Sequence, residues 1–171
     1  MQLRSKALLG LGSLAILAGS LCAVKMPDKL SDLQTRFDHE SNSVHKARLL
    51  AKLSAAQFEE TRRLEKQGDF NRVGVLWEKY RDDARVTFEA LKKQHPDAER
   101  QSNGYRELEV GLREGIREID QTRLIAPDEY RPPLLLVRGD LAAMDDEVLR
   151  MLFPRRSIDP PPAQPSSEKL P

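Results

Sequence analysis

One stripe of seven side chains constrains the fold of this chain more than any other feature. The seven are spaced alternately three and four residues apart: Phe70, Val73, Trp77, Tyr80, Ala84, Thr87 and Leu91. Because an α-helix has 3.6 residues per turn, this spacing places all of them on one helix face. The stripe therefore predicts a helix over about residues 69–94 that buries this face.

The same spacing predicts three more helices. One ends before Pro127 and carries Tyr105, Leu108, Leu112, Ile116, Ile119 and Arg123. Another carries Leu134, Val137, Leu141, Met144, Val148, Met151 and Leu152. Pro133 suits the first turn of that helix, since its missing N–H would have no intrahelical partner there. The first and longest helix is predicted to begin near Asp28 or Ser31 and to end at Gly68.

The connection after this first helix consists only of Gly68 and Asp69, which requires an antiparallel hairpin. Counting back from that turn places Gln94 opposite roughly Asn42, so residues 28–42 are predicted to overhang the hairpin. A polar stretch over residues 38–43 predicts a kink or break in the first helix. The predicted fold is all-α: a helical hairpin extended to a bundle of three to four helices over residues 24–153. Residues 154–171 are predicted to form a disordered, proline-rich tail.

The N-terminal residues 1–23 are typical of a secretory signal peptide. Arg4 and Lys6 precede a run from Ala7 to Leu21 that carries no charge. This run is shorter than the roughly 20 residues that a membrane-spanning helix needs, which favours cleavage over a permanent anchor. Cleavage after Ala23 would leave no cysteine in the mature chain and would place it in the periplasm or outside the cell. Lipid attachment at Cys22 is the alternative, although bulky Leu21 precedes this cysteine where a small residue is usual.

Charge and motifs argue against several classes of function. The chain has 28 Lys and Arg against 27 Asp and Glu, and removing Arg4 and Lys6 leaves 26 against 27. Without a basic stripe, nucleic-acid binding has no electrostatic support. The three histidines, His39, His45 and His95, match neither the His-Glu-x-x-His nor the Glu-x-x-His spacing of helical metal sites. We therefore expect no metal or other cofactor.

No known catalytic motif occurs in the sequence, and we expect the protein not to be an enzyme. Three pairs of neighbouring acids are the nearest candidates: Glu59-Glu60, Asp82-Asp83 and Asp145-Asp146. Neighbouring residues point about 100° apart on a helix, so these pairs are interpreted as solvated faces. Gly111 and Gly115 form a Gly-x-x-x-Gly pattern, which we interpret as a close helix contact within the chain.

Two segments share the pattern Leu-Ser-x-x-Gln: residues 30–34 and residues 53–57. The pattern is similar to the Leu-Thr-x-x-Gln motif of the Spy/CpxP periplasmic stress chaperones, a resemblance that implies binding of unfolded polypeptides. The first copy also suits a capping box with Ser31 at the start of a helix. The second departs from the family pattern, because Ser54 falls inside a predicted continuous helix.

Two further resemblances concern fold and location. The segment from Leu64 to Phe70, followed by Trp77 and Tyr80, resembles the centre of one tetratricopeptide hairpin, but no second copy appears at a 34-residue period. The whole mature chain resembles uncharacterised exported bacterial helical proteins, which implies a fold and a location but no activity.

The function predicted from these features is non-enzymatic, with protein–protein contacts in the cell envelope. The predicted contact stripe is Leu30, Leu33 and Phe37 on the overhanging segment, which would bind a protein partner or a second copy. Folding of this segment onto its own bundle remains open. The alternative function is a Spy/CpxP-like chaperone.

Overall fold

The computed structural model describes residues 28–154 of the chain. It contains five α-helices: α1 (Asp28–His39), α2 (Ser43–Gln67), α3 (Phe70–Gln94), α4 (Asn103–Ile125) and α5 (Arg131–Leu152). A single 3-10 turn, Asp128–Tyr130, precedes α5. The predicted signal peptide, Cys22 and the proline-rich tail from residue 155 onward lie outside the described residues.

Helices α2 to α5 form a four-helix bundle. The helices follow the order α2, α3, α5, α4 around the bundle, and α3 also contacts α4 across it. The predicted all-α bundle is thus confirmed, and residues 28–154 contain no β-strand. The stripe of α3 faces the centre of the bundle, where Trp77 and Tyr80 pack on Phe58 of α2. The centroid of the Phe58 ring lies 5.3 Å from that of Trp77 and 5.1 Å from that of Tyr80.

The turn between α2 and α3 forms as its sequence predicts. Gly68 adopts a left-handed backbone with φ of 73°, a conformation in which glycine has no steric cost. The Asp69 N–H donates to the Leu64 carbonyl at 3.1 Å, while the Asp69 side chain accepts from the Arg72 N–H at 3.2 Å. Both helix ends are therefore capped within a two-residue link, and the antiparallel hairpin is confirmed.

A diagonal contact across the bundle joins α3 and α4. The Tyr80 hydroxyl donates to the Gly111 carbonyl at 2.6 Å, and the Tyr80 ring lies directly against Gly115. A Cβ at position 115 would stand 2.8 Å from the Tyr80 hydroxyl oxygen, closer than real Cβ contacts allow. The Gly-x-x-x-Gly pattern therefore serves a contact within the chain, as interpreted from the sequence.

The first predicted helix is two helices, and their arrangement corrects the predicted overhang. The break falls at residues 40–42, where the polar stretch predicted it. The prediction that residues 28–42 overhang was wrong, because the chain reverses at the break and α1 packs against the outer side of α2. Leu30 and Phe37 become 3% and 1% exposed. Burying two such side chains contributes about 1.5 to 3 kcal/mol each, which an extended α1 would lose.

Candidate functional site

The candidate functional site is the surface of α2 that α1 covers, together with Asp83 of α3, and we call it the α1 cradle. Leu30 shares a groove with Ala56 and Glu60 of α2, and Phe37 lies beside Lys46. Helix α1 therefore runs antiparallel to α2. Of the predicted contact stripe, Leu30 and Phe37 are buried here and Leu33 is partly buried.

A buried carboxylate anchors the middle of α1. Asp83 of α3 is 3% exposed and accepts hydrogen bonds from three directions. Its Oδ1 accepts from Gln34 Nε2 of α1 at 3.3 Å and from Lys79 Nζ at 2.5 Å, and its Oδ2 accepts from Gln57 Nε2 of α2 at 3.2 Å. This carboxylate thereby joins α1, α2 and α3 through hydrogen bonds that burial strengthens.

The two glutamines are the final residues of the two Leu-Ser-x-x-Gln segments. They reach the same carboxylate although they lie on different helices, so the recurring pattern has a structural role inside the fold. Ser31 is not the N-cap of α1, because the helix already includes Asp28. The capping-box interpretation was therefore wrong at this position.

Burial controls the ionisation of this anchor. It raises the pKa of Asp83 above the ordinary aspartate value, because an ionised carboxylate loses its hydration there. Hydrogen bonds and charge from Lys79, together with hydrogen bonds from Gln57 and Gln34, lower the pKa but only partly offset the burial. Gln57 Oε1 is buried without a hydrogen-bond partner in the structure.

A buried lysine closes the C-terminal end of α1. Lys46 of α2 is 8% exposed, and its Nζ donates to the Phe37 carbonyl at 2.8 Å. The same ammonium lies 4.4 Å from the centroid of the Phe37 ring. The Phe37 carbonyl also accepts from the Glu40 N–H at 3.2 Å. A cation at this end of a helix complements the helix dipole and is attracted to the face of an aromatic ring. The sequence offered no clue that Lys46 would be buried.

Gln94 clamps the link between α1 and α2. Its Nε2 donates to the Ser41 carbonyl at 2.8 Å, and its Oε1 accepts from the Ser43 N–H at 3.0 Å. The predicted position of Gln94 opposite Asn42 is therefore confirmed. Asn42 itself caps α2 by accepting from the His45 N–H at 2.9 Å.

Replacing Gln94 with alanine is expected to loosen this link and cost about 1 to 2 kcal/mol of stability, because two hydrogen bonds with main-chain groups are lost. Amide hydrogen exchange should show faster exchange in α1 while α3 to α5 keep their protection. Replacing the neighbouring exposed Lys93 with alanine is the control. Equal exchange in α1 of both variants would contradict the assigned clamp.

The three acidic pairs do not lie wholly on solvated faces, so that interpretation needs correction. One member of each pair is buried, namely Glu60, Asp83 and Asp145, while its neighbour is exposed. The cause is the same 100° separation, which turns one acid inward as it turns the other outward. The hydrogen bond from Arg63 lowers the pKa of Glu60, whereas burial and the charge of Glu109 raise the pKa of Asp145.

The histidines are dispersed. His39 and His45 are exposed and His95 contacts Gln101. Among residues 28–154, no three His, Cys, Asp or Glu side chains come together in a way that could hold a metal ion. In the same part of the chain, no helix has the length and apolar character needed to cross a membrane.

A second groove, between α4 and α5, has a volume of about 1040 Å³. It is lined by several arginines together with Asp120, Asp145 and the apolar Ile116 and Leu124. Arg123 and Arg138 both bind Asp120 Oδ1, at 2.6 and 2.8 Å. Much of the charge at this groove is thus already paired within the bundle.

Comparison of the chain with protein-family models, with curated proteins and with solved structures finds no match in any of the three. The resemblances to the Spy/CpxP chaperones, to a tetratricopeptide hairpin and to exported helical proteins therefore stay hypotheses.

Proposed function

We propose that this protein is an exported, non-enzymatic helical protein that acts through protein–protein contacts in the cell envelope. The α1 cradle and the facing stripe of α1 are the proposed contact surfaces. One observation carries the proposal: an amphipathic helix joined by a three-residue link covers a specific surface of α2 and binds Asp83 of α3. Export is inferred from the sequence of residues 1–23 alone.

Helix α1 is the part of the fold most readily released. Its 12 residues are at the lower limit at which an isolated helix has any stability in water, about 12 to 15 residues. It packs on α2 and reaches α3 through Gln34, whereas each of α2 to α5 packs against at least two helices. Local opening of such a segment requires less free energy than global unfolding.

Release of α1 would uncover two matching surfaces. The α1 stripe presents Leu30, Leu33 and Phe37, and the cradle presents the Asp83 carboxylate among apolar side chains. Binding of an amphipathic helix in a groove is a common mode of protein recognition. We therefore propose binding of a helical segment rather than of a small molecule.

The test replaces Leu30, Leu33 and Phe37 together with serine in the mature protein. Proteins captured from envelope extract by the wild type should be lost, and amide exchange should show α1 undocked with α2 to α5 still protected. The matched control replaces Asp32, Thr35 and Arg36, which are exposed on the same helix, with serine. Capture of the same proteins by both variants would remove the stripe from the proposal.

The chaperone alternative makes a separate expectation. A binder of unfolded polypeptides should suppress aggregation of a denatured model client at a few-fold molar excess. The structural role of Gln34 and Gln57 at Asp83 reduces the weight of the Leu-Ser-x-x-Gln resemblance, because the pattern is accounted for within the fold. No suppression of aggregation by the purified mature protein would count against this alternative.

A further inference from the structure

We propose that α1 is exchanged between two copies of this chain, so that α1 of each copy occupies the α1 cradle of the other. This inference rests on the proposed function and names its partner as a second copy. The resulting contact is symmetric, since each copy gives one helix and receives one.

The cradle specifies the helix that it binds. The bound helix places an apolar side chain beside Ala56. Four residues later it places a donor at Asp83, and three residues after that an aromatic side chain under Lys46. The Lys46 Nζ also donates to the main-chain carbonyl of that aromatic residue, which lies in the last turn of the bound helix. A fitting ligand is a short amphipathic helix with the pattern Leu-x-x-x-Gln-x-x-Phe.

Within this chain, that pattern belongs to α1, where Leu30, Gln34 and Phe37 occupy the three positions. The second Leu-Ser-x-x-Gln segment starts in the same way but carries Glu60 where the cradle requires an aromatic side chain. It also lies in the middle of α2, where Leu53 and Gln57 are already buried in the bundle. A second copy of the chain therefore supplies a helix that satisfies all of these contacts.

The closed and exchanged forms differ mainly at the link. All contacts between α1 and the cradle are the same whether they are made within one chain or between two, which is the physical basis of domain swapping. The link consists of Glu40, Ser41 and Asn42, and its reversed conformation is held by Gln94 and by the Asn42 cap. The balance between the two forms is therefore set by these few residues and by protein concentration.

The experiment replaces Glu40, Ser41 and Asn42 together with alanine in the mature protein. Alanine is the best helix former and cannot cap α2, so α1 and α2 should join into one helix that cannot fold back. We expect light scattering to give twice the monomer mass, with α1 amides protected from exchange. A monomer whose α1 amides exchange freely, with the bundle intact, would overturn the proposal.

A second substitution shows whether the dimer uses the cradle. Adding Leu30→Ser and Phe37→Ser to the triple-alanine variant should return it to a monomer. Adding Gln34→Ala should weaken its dimerisation about tenfold, because the hydrogen bond to Asp83 is lost. The control is Thr35→Ala, on the exposed side of α1, which should leave the dimer unchanged. A dimer that persists after Leu30→Ser and Phe37→Ser would also overturn the proposal, since another surface would then hold it.

The wild-type protein provides the independent test. Two differently tagged copies are mixed at high concentration, and one tag is used to capture the other. We expect mixed dimers that Gln94→Ala increases severalfold and that Leu30→Ser with Phe37→Ser abolishes. If no mixed dimer forms while capture of other proteins still depends on the stripe, the exchange is overturned and the proposed function stands. If stripe-dependent capture of other proteins is also absent, the proposed function fails as well.

Discussion

Replacing Gly115 with alanine is expected to lower the free energy of unfolding by about 2 kcal/mol, even though alanine is the better helix former. The new Cβ would lie 2.8 Å from the Tyr80 hydroxyl oxygen and 2.9 Å from Cζ of the same ring. Tyr80 cannot move aside, because it packs on Phe58 and Trp77 and its hydroxyl is bound to the Gly111 carbonyl. Urea denaturation followed by far-ultraviolet circular dichroism measures the loss.

The same substitution at Gly139 is the matched control. Apart from the backbone of its own helix and its chain neighbours, nothing lies within 4 Å of a Cβ built there, so Gly139→Ala should stabilise the protein by up to about 1 kcal/mol through helix propensity alone. The two variants are thus expected to shift the denaturation midpoint in opposite directions. If Gly115→Ala were as stable as the wild type or more stable, Tyr80 would not fill the space beside α4.

Replacing Asp83 with alanine is expected to cost about 2 to 3 kcal/mol. The substitution leaves the buried amide of Gln57 without its acceptor, and an unsatisfied buried donor costs about 1 to 3 kcal/mol. The partly buried Gln34 loses one of its two acceptors and keeps Asp38 at 2.9 Å. The substitution also removes the hydrogen bond that holds the middle of α1, so α1 should exchange its amide hydrogens faster. Asp83→Asn should cost less, because it keeps the shape and an acceptor oxygen, and the unpartnered Gln57 Oε1 is able to accept from the new amide.

The wild type and Asp83→Asn together test the raised pKa of Asp83. A carboxyl whose pKa is higher in the folded than in the unfolded state binds its proton more tightly when folded. Its contribution to stability is therefore fully present below the ordinary aspartate value of 3.8 and is lost as pH rises through the raised folded value. Relative to Asp83→Asn, the wild type should gain stability as pH falls through that window. A difference that does not change with pH would contradict the burial of this charge.

The helices of the bundle were predictable because their apolar stripes are long and regular. The spacing of the stripe from Phe70 to Leu91 matches the period of an α-helix. Gly68 marks the end of α2 and Pro127 follows the end of α4, each through backbone geometry that other residues do not share. The antiparallel hairpin of α2 and α3 then follows from a link too short for any other arrangement. These features are local, and local features can be read from a single sequence.

The packing of α1 was not predictable in the same way. Leu30, Leu33 and Phe37 show which face of α1 is apolar, but they do not show what covers it. The polar stretch before α2 is compatible with a kink as well as with a reversal. The outcome depends on residues distant in sequence, since Gln34 and Asp83 are 49 positions apart.

The polar anchors were missed because charged residues were treated as exposed. A signal was nevertheless present. Asp83 lies three residues after Tyr80 and four before Thr87, which places it beside the buried stripe of α3, and Gln34 lies between Leu30 and Phe37 on the buried face of α1. A polar residue at such a position needs a buried partner, and this requirement could have linked the two Leu-Ser-x-x-Gln segments to one acceptor.

The distance along the chain between α1 and its anchor has a consequence for the order in which the protein assembles during synthesis. Among the described helices α1 is synthesised first, and Asp83 follows Gln34 by 49 residues, roughly 2 to 10 seconds at usual synthesis rates. For that interval α1 has no complete site to dock on, and α2 and α3 must pair before it can. Helix α1 therefore docks only after two later helices have paired, and until then its apolar face is open to other chains, including a second copy.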